Sequence, residues 1–169
     1  LEIGRGIQYW ATGLEGFLPV DQLALGEAGT LPPPTRITIP AIELDAAIKE
    51  LEIYDLGDSR QYETPKMVVG HIPESANPGE SGNGWLFGHL QSPFKDEGAV
   101  FQDLPKIPEI MRTGEPVYIV VGSPGGTYLY EVYRTDVVPK DDFRMYETGD
   151  ASLTLVTCVP AWTYDYRLL

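Results

Sequence analysis

Leu153-Thr154-Leu155-Val156-Thr157-Cys158 is an apolar, β-branched run that ends on the only cysteine of the chain. Residues that branch at Cβ fit a pleated, half-buried surface, so the run reads as a strand. A strand that delivers a lone thiol at its end has two readings. Free cysteines are often small buried hydrophobes. A thiol beside a cation, by contrast, is a nucleophile, and Arg167 follows after a stretch, residues 159–165, of hairpin-loop length. An antiparallel hairpin would make Cys158 and Arg167 near neighbours.

Working outward, short β-like runs separated by turn residues continue back to Thr35. Residues 36–39 alternate polar and apolar, 67–72 form a strand candidate that includes His71, and 85–90 form another that includes His89. Residues 44–53 are apolar-rich, with no period that decides between helix and strand. Asn77 to Gly84 is dense in turn residues. The clearest hairpin joins 116–121 to 127–138 through Gly122-Ser123-Pro124-Gly125-Gly126. Short helices are predicted over 100–104 and around 107–111, broken by Pro105 and Pro108. A charged loop spans 141–150, and residues 166–169 close the chain as a strand, with a residue or more of it expected beyond Leu169. About seven or eight strands with little helix predict an all-β fold, a closed or nearly closed β-barrel with short helices.

Before Thr35 the pattern changes. Residues 1–31 hold six glycines without a clean period, and Pro32-Pro33-Pro34 is a stiff spacer that cannot continue a helix. Residues 1–34 are therefore expected to be a linker, or a lid over the domain, and residues 35–169 the domain itself.

The 169 residues carry 12 Lys plus Arg against 25 Asp plus Glu, a formal charge of −13, which argues against a nucleic-acid partner. The acidity reads first as solubility and second as attraction for a cationic partner, such as a lysine-bearing acceptor. One cysteine excludes an internal disulfide and a cysteine-rich zinc site. No run reaches the roughly 18 apolar residues that span a bilayer, so a membrane anchor is expected upstream of Leu1.

Attack on a carbonyl needs a thiolate, a base or cation beside it, and a donor for the oxyanion. Cys158, a histidine and Arg167 could fill these roles, and spacing alone does not choose between His71 and His89.

The segment Thr154-Leu155-Val156-Thr157-Cys158 with Arg167 downstream resembles the signature of sortases, cysteine transpeptidases of bacterial cell surfaces. The Gly84-Trp85-Leu86-Phe87-Gly88-His89 stretch is similar to the Gly-His strand end of that family. So are Pro78 to Asn83 before it, Val100 to Leu104, Gly114 to Ile119, Tyr130-Glu131-Val132 and the opening Arg36 to Pro40. The resemblance covers about residues 35–169. Two positions depart from it: Leu90 stands where the family often has arginine, and Phe87 replaces a small residue.

By this resemblance Cys158 is the nucleophile, His89 the acid and base, and Arg167 the donor to the oxyanion or the substrate backbone. His71 belongs to an earlier Gly-His segment and is expected to be structural or at the cleft rim. The substrate implied is a C-terminal sorting signal of Leu-Pro-x-Thr-Gly type or a relative such as Leu-Ala-x-Thr-Gly. The acceptor implied is an amine of a peptidoglycan precursor or of a pilin. Substrate contacts are expected from the loops 139–151 and 159–165, with Met145, Tyr146 and Trp162 as apolar candidates and Thr157 beside the nucleophile.

No cofactor is expected; calcium at Asp141, Asp142, Glu147 and Asp150 is a secondary reading to a solvated acidic loop. The short spacing from Cys158 to Arg167 and Pro160 resemble class C and class D or E enzymes more than class A. No Asp-Pro-aromatic anchor of a class C lid occurs in residues 1–34, which favours a housekeeping-type or D/E-like enzyme. The expected setting is the extracytoplasmic face of a bacterial membrane, as an anchored monomer. A pilin-polymerising sortase and a sortase-fold module with a dead site are the alternatives. An L,D-transpeptidase would bring a His-Gly-Cys cluster, and a papain-like protease a histidine after its cysteine; neither is present.

Overall fold

The computed structural model describes residues 17, 30–55, 60–62, 67–90, 98–159 and 165–169, with 53–55 and 60–62 as backbone. Eleven strands occur among the described residues: β1 (Arg36–Ile39), β2 (Leu44–Glu50), β3 (Ile53–Asp55), β4 (Arg60–Tyr62), β5 (Val69–His71), β6 (Gly82–Phe87), β7 (Tyr118–Ser123), β8 (Gly126–Glu131), β9 (Val137–Pro139), β10 (Ala151–Val159) and β11 (Tyr166–Leu168). One α-helix, α1 (Ile107–Arg112), follows a 3₁₀ turn at Leu104–Lys106.

Nine strands form one sheet in the order β8-β7-β1-β2-β5-β6-β10-β11-β9, and β3 pairs with β4 as a separate ribbon. No ladder joins β8 to β9 among the described residues, so the sheet is not closed there, and it carries more strands than the sequence suggested. It nevertheless wraps one core. Ile37 and Ile39 of β1, Val69 of β5, Leu86 of β6, Val121 of β7, Leu155 of β10 and Leu168 of β11 are buried in a single cluster with Phe101, Leu104 and Ile107.

Several local expectations are corrected. Of the ambiguous stretch 44–53, residues 44–50 are strand, with Leu44 and Ile48 reaching the core at an even spacing while Asp45, Lys49 and Glu50 face water. The predicted strand 127–138 is two strands at opposite ends of the sheet order, β8 and β9. Pro105 and Pro108 lie in the first turns of the 3₁₀ segment and of α1, where a missing N–H costs nothing, so they start those elements. Residues 100–103 are turn. The strand placed over 85–90 instead runs from Gly82 to Phe87 and stops before His89.

Two pairings position the thiol. β6 and β10 run parallel, with Thr154 beside Trp85, Leu155 beside Leu86 and Val156 beside Phe87. β10 and β11 run antiparallel, with Thr157 opposite Leu168, Cys158 opposite Arg167 and Val159 opposite Tyr166. Side chains alternate between faces along a strand. Leu86, Leu155 and Leu168 point into the core, so Trp85, Phe87, Val156, Cys158 and Arg167 share the outer face.

Candidate active site

On that outer face Cys158 is half-buried and lies directly across the β10–β11 ladder from Arg167. Cross-strand partners of this kind hold their Cβ atoms about 4.5–5.5 Å apart. The Arg167 guanidinium also donates to the carbonyl of Tyr166 at 3.0 Å.

His89 arrives from the other flank of β10. The β6–β10 pairing extends past Phe87 through the Gly88 N–H, which donates to the Val156 carbonyl at 3.1 Å. The Thr157 hydroxyl in turn donates to the Gly88 carbonyl at 2.9 Å. His89 is the residue after Gly88, as Cys158 is the residue after Thr157, so the two follow the same bonded pair. The His89 carbonyl accepts from the Phe101 N–H at 2.8 Å, which holds the backbone. Its ring Nε2 is buried and has no hydrogen-bond partner among the described residues. Gly88 is required by packing: a Cβ there would lie 2.5 Å from the Phe101 ring.

His71 is elsewhere. It pairs with Leu86, so its side chain points to the core, the face opposite Cys158. Two strand spacings and three residues of rise put it roughly 14 Å from Cys158. It is fully buried, with Nε2 3.3 Å from both the Ala76 carbonyl and the Ser75 hydroxyl. Ser75 already donates to the Ile72 carbonyl, so Nε2 carries the proton and Nδ1 is a buried acceptor without a donor. Burial lowers the His71 pKa; the Ala76 carbonyl and the charges of Glu50 and Glu80 oppose that shift only in part.

The outer face has an apolar floor. Leu51, Ile72, Trp85 and Val156 are buried together, with Phe87, Phe143 and Leu169 packed against them. The loop between β9 and β10 covers part of this floor: Phe143 meets Trp85 edge-on at 5.9 Å between ring centres and Phe87 at 6.2 Å, and Tyr146 meets Trp85 at 5.2 Å. Phe87, a departure from the family pattern, is thus a partner of the loop.

The other expected substrate contacts divide. Tyr146 is on the floor's rim, and both it and Met145 are about half exposed. Trp162 lies outside the described residues. Thr157 is buried on the core face, opposite to that of Cys158, and its hydroxyl is committed to Gly88. Asp141, Asp142, Glu147 and Asp150 are exposed, and among the described residues no three of His, Cys, Asp and Glu cluster as a metal site. A cavity of about 470 Å³ lies between β8 and the first half of β10, lined by Leu129, Tyr130, Leu153 and Leu155 among others. Cys158, His89 and Arg167 do not line it, so it is separate from the thiol.

Sequence reasoning missed Asn83 and Phe143. Asn83 sat in a stretch read as turn, and Phe143 in a loop read as charged.

The family model described as Sortase domain matches residues 37–169. The chain belongs to the sortase family. Solved structures that this sortase resembles include sortase A of Corynebacterium diphtheriae, in a lid mutant, at 25% identity and TM-score 0.58, covering 88% of this chain and 73% of that one. Sortase C1 of Streptococcus agalactiae matches at 25% identity and TM-score 0.59, covering 79% of this chain and 62% of that one. Sortase C-1 of Actinomyces oris matches at 25% identity and TM-score 0.57, covering 79% and 67% respectively. No curated protein matches the sequence. No helix among the described residues is long and apolar enough to cross a membrane.

Proposed function

We propose that this sortase is a cysteine transpeptidase that cleaves a sorting signal of Leu-Pro-x-Thr-Gly type and passes the acyl group to an amine. The observation that carries the reading is the register of three adjacent strand ends. Arg167 stands across from Cys158 on one side, and on the other His89 lies two residues past Phe87, just as Cys158 lies two past its partner Val156.

In this mechanism the Cys158 thiolate adds to the scissile carbonyl, forming the S–C bond and moving the carbonyl π pair onto oxygen. Arg167, permanently charged and fork-shaped, donates to that oxyanion or to the signal backbone. Collapse breaks the C–N bond while His89 gives its proton to the departing amine. The acceptor amine then attacks the thioester and gives its proton to His89, and the Cys158 thiolate leaves. The Nε2 of His89 has no hydrogen-bond partner among the described residues, which leaves it uncommitted to any fixed group.

The apolar floor with Tyr146 and Met145 at its edge supports an apolar side chain at the head of the signal. The strongly acidic chain supports a lysine-type or other cationic acceptor. The same reading sets the protein on the outer face of a bacterial membrane, anchored ahead of residue 1, as a monomer of class D/E-like or C-like type. Likeness to a sortase C1 from a pilus island supports pilin polymerisation as the second reading.

The test is mass spectrometry of the protein and of Cys158→Ala after incubation with Leu-Pro-x-Thr-Gly and Leu-Ala-x-Thr-Gly peptides. An acyl adduct on the wild type alone, cleared by an added amine, is expected. A reactive thiol that forms no adduct with any peptide would leave a binding module in its place.

A further inference from the structure

The side chain of Asn83 is fully buried and joined on both ends. Its Nδ2 donates to the Tyr146 carbonyl at 3.3 Å, and its Oδ1 accepts from the Thr154 hydroxyl at 2.9 Å. Thr154 is on β10, four residues before the nucleophile, and Tyr146 is in the loop that covers the apolar floor. One carboxamide therefore couples β6, β10 and the loop. Neighbouring bonds close the same seam: the Ser81 hydroxyl donates to the Gly149 carbonyl at 2.7 Å, and the Gly82 N–H to the Asp150 carbonyl at 3.2 Å.

Of these bonds, the one from Asn83 reaches furthest toward the rings on the floor. The other two hold residues 149 and 150, where the loop already enters β10, whereas Tyr146 stacks edge-on against Trp85 three residues beyond Phe143. A donor buried beside the Tyr146 carbonyl fixes where both rings stand. Loss of that donor leaves the Tyr146 carbonyl without its protein partner, so the loop is free to turn it toward water and the ring contact to Trp85 loosens.

We infer that Asn83 is a positioning residue for peptide selection: it holds the Phe143 to Tyr146 stretch over Trp85 and Phe87, and so sets which side chain the floor admits. This rests on the transpeptidase reading. It assigns Asn83 no part in the chemistry at Cys158, from which it is separated along the face by Trp85 and Phe87 in the β6 register.

Asn83→Asp keeps the shape and the acceptor for Thr154 but removes the donor to Tyr146 and sets a carboxylate against its carbonyl. Thr154→Val removes the hydroxyl that orients the carboxamide at nearly constant volume, and it repeats the test should Asn83→Asp fail to fold. The first readout is hydrogen exchange of the amides of residues 143–148. About tenfold faster exchange is expected there, the equivalent of one buried hydrogen bond, with β10 amides unchanged. The second is steady-state kinetics on the two peptide types. KM should rise about tenfold on the preferred peptide and discrimination between the two should fall, with kcat within about threefold and alkylation of Cys158 unchanged.

Loop exchange equal to wild type would overturn the inference. So would a fall in kcat at constant KM, which would put Asn83 in the chemistry. A wild type that acylates on no peptide removes the transpeptidase reading alone, and the exchange result still decides whether Asn83 holds the loop.

Discussion

Cys158 and Arg167 are directly paired across the β10–β11 ladder on the face opposite the hydrophobic core. The pair is fixed by backbone register, so Cβ of Arg167 stands beside that of Cys158 without help from any loop. A fork of donors anchored this way can point at one oxygen near the thiol, and a lysine in its place cannot reproduce the fork. Arg167→Lys should lower kcat/KM by about 10²–10³, the usual loss for one oxyanion donor. Peptide turnover with an added amine measures it, and near wild-type rates would remove Arg167 from the oxyanion.

The two histidines should separate cleanly. His89→Ala is expected to lose about 10²–10⁴ in turnover, the range for a general acid and base. His71→Gln should keep turnover within a few-fold, because its imidazole points into the core. Loss of activity in the His71 variant with retention in His89→Ala would reverse the assignment.

His71 also predicts a pH dependence of stability. Its folded pKa is depressed by burial, so the unfolded chain takes up a proton first as pH falls. Above the ordinary histidine pKa of about 6.5 both states are neutral and nothing is lost. Below it, stability falls with pH until the folded pKa is reached. Urea unfolding from pH 7.5 to 5 should show this slope, and His71→Gln should flatten it. Identical slopes in the two proteins would mean that other groups carry it.

Gly88→Ala should be costly out of proportion to one methyl group. The added Cβ meets the Phe101 ring at 2.5 Å, an overlap of the kind that destabilises by about 1–3 kcal/mol. Because Phe101 also holds the His89 carbonyl, turnover should fall together with the melting temperature. A variant as stable and as active as wild type would show that the ring can move aside.

A chelator should change neither melting temperature nor turnover. The loop carbonyls at Tyr146, Gly149 and Asp150 are already held by residues 81–83. A drop in either quantity, restored by calcium, would assign the acidic loop a metal.

Much of this was legible in the sequence because it depends on local pattern. The run ending at Cys158, the Pro124-Gly125 turn and the alternation of residues 36–39 each specify a strand or hairpin from neighbouring residues. What escaped depends on distant partners. Residues 127–138 read as one strand, since nothing local marks residues 132–136 as the segment that carries the chain from one edge of the sheet to the other. Asn83 reads as a turn residue until Thr154 and Tyr146, 71 and 63 positions away, are placed beside it. Phe143 reads as part of a charged loop until Trp85 and Phe87 supply rings for it to meet.

The parallel pairing of β6 with β10 has a consequence for when the thiol becomes competent. The clasp from Thr157 to Gly88 joins residues 69 positions apart, and parallel strands can be brought together only after the intervening crossover is in place. Contacts of such long range form late and slowly. Cys158 and Arg167 are nine positions apart in the chain, whereas the pairing that sets Gly88 beside Thr157 closes a loop of 69. On the proposed reading, acyl transfer depends on this longest-range pairing of the site, and a chain holding only the β10–β11 hairpin would present the thiol without its imidazole.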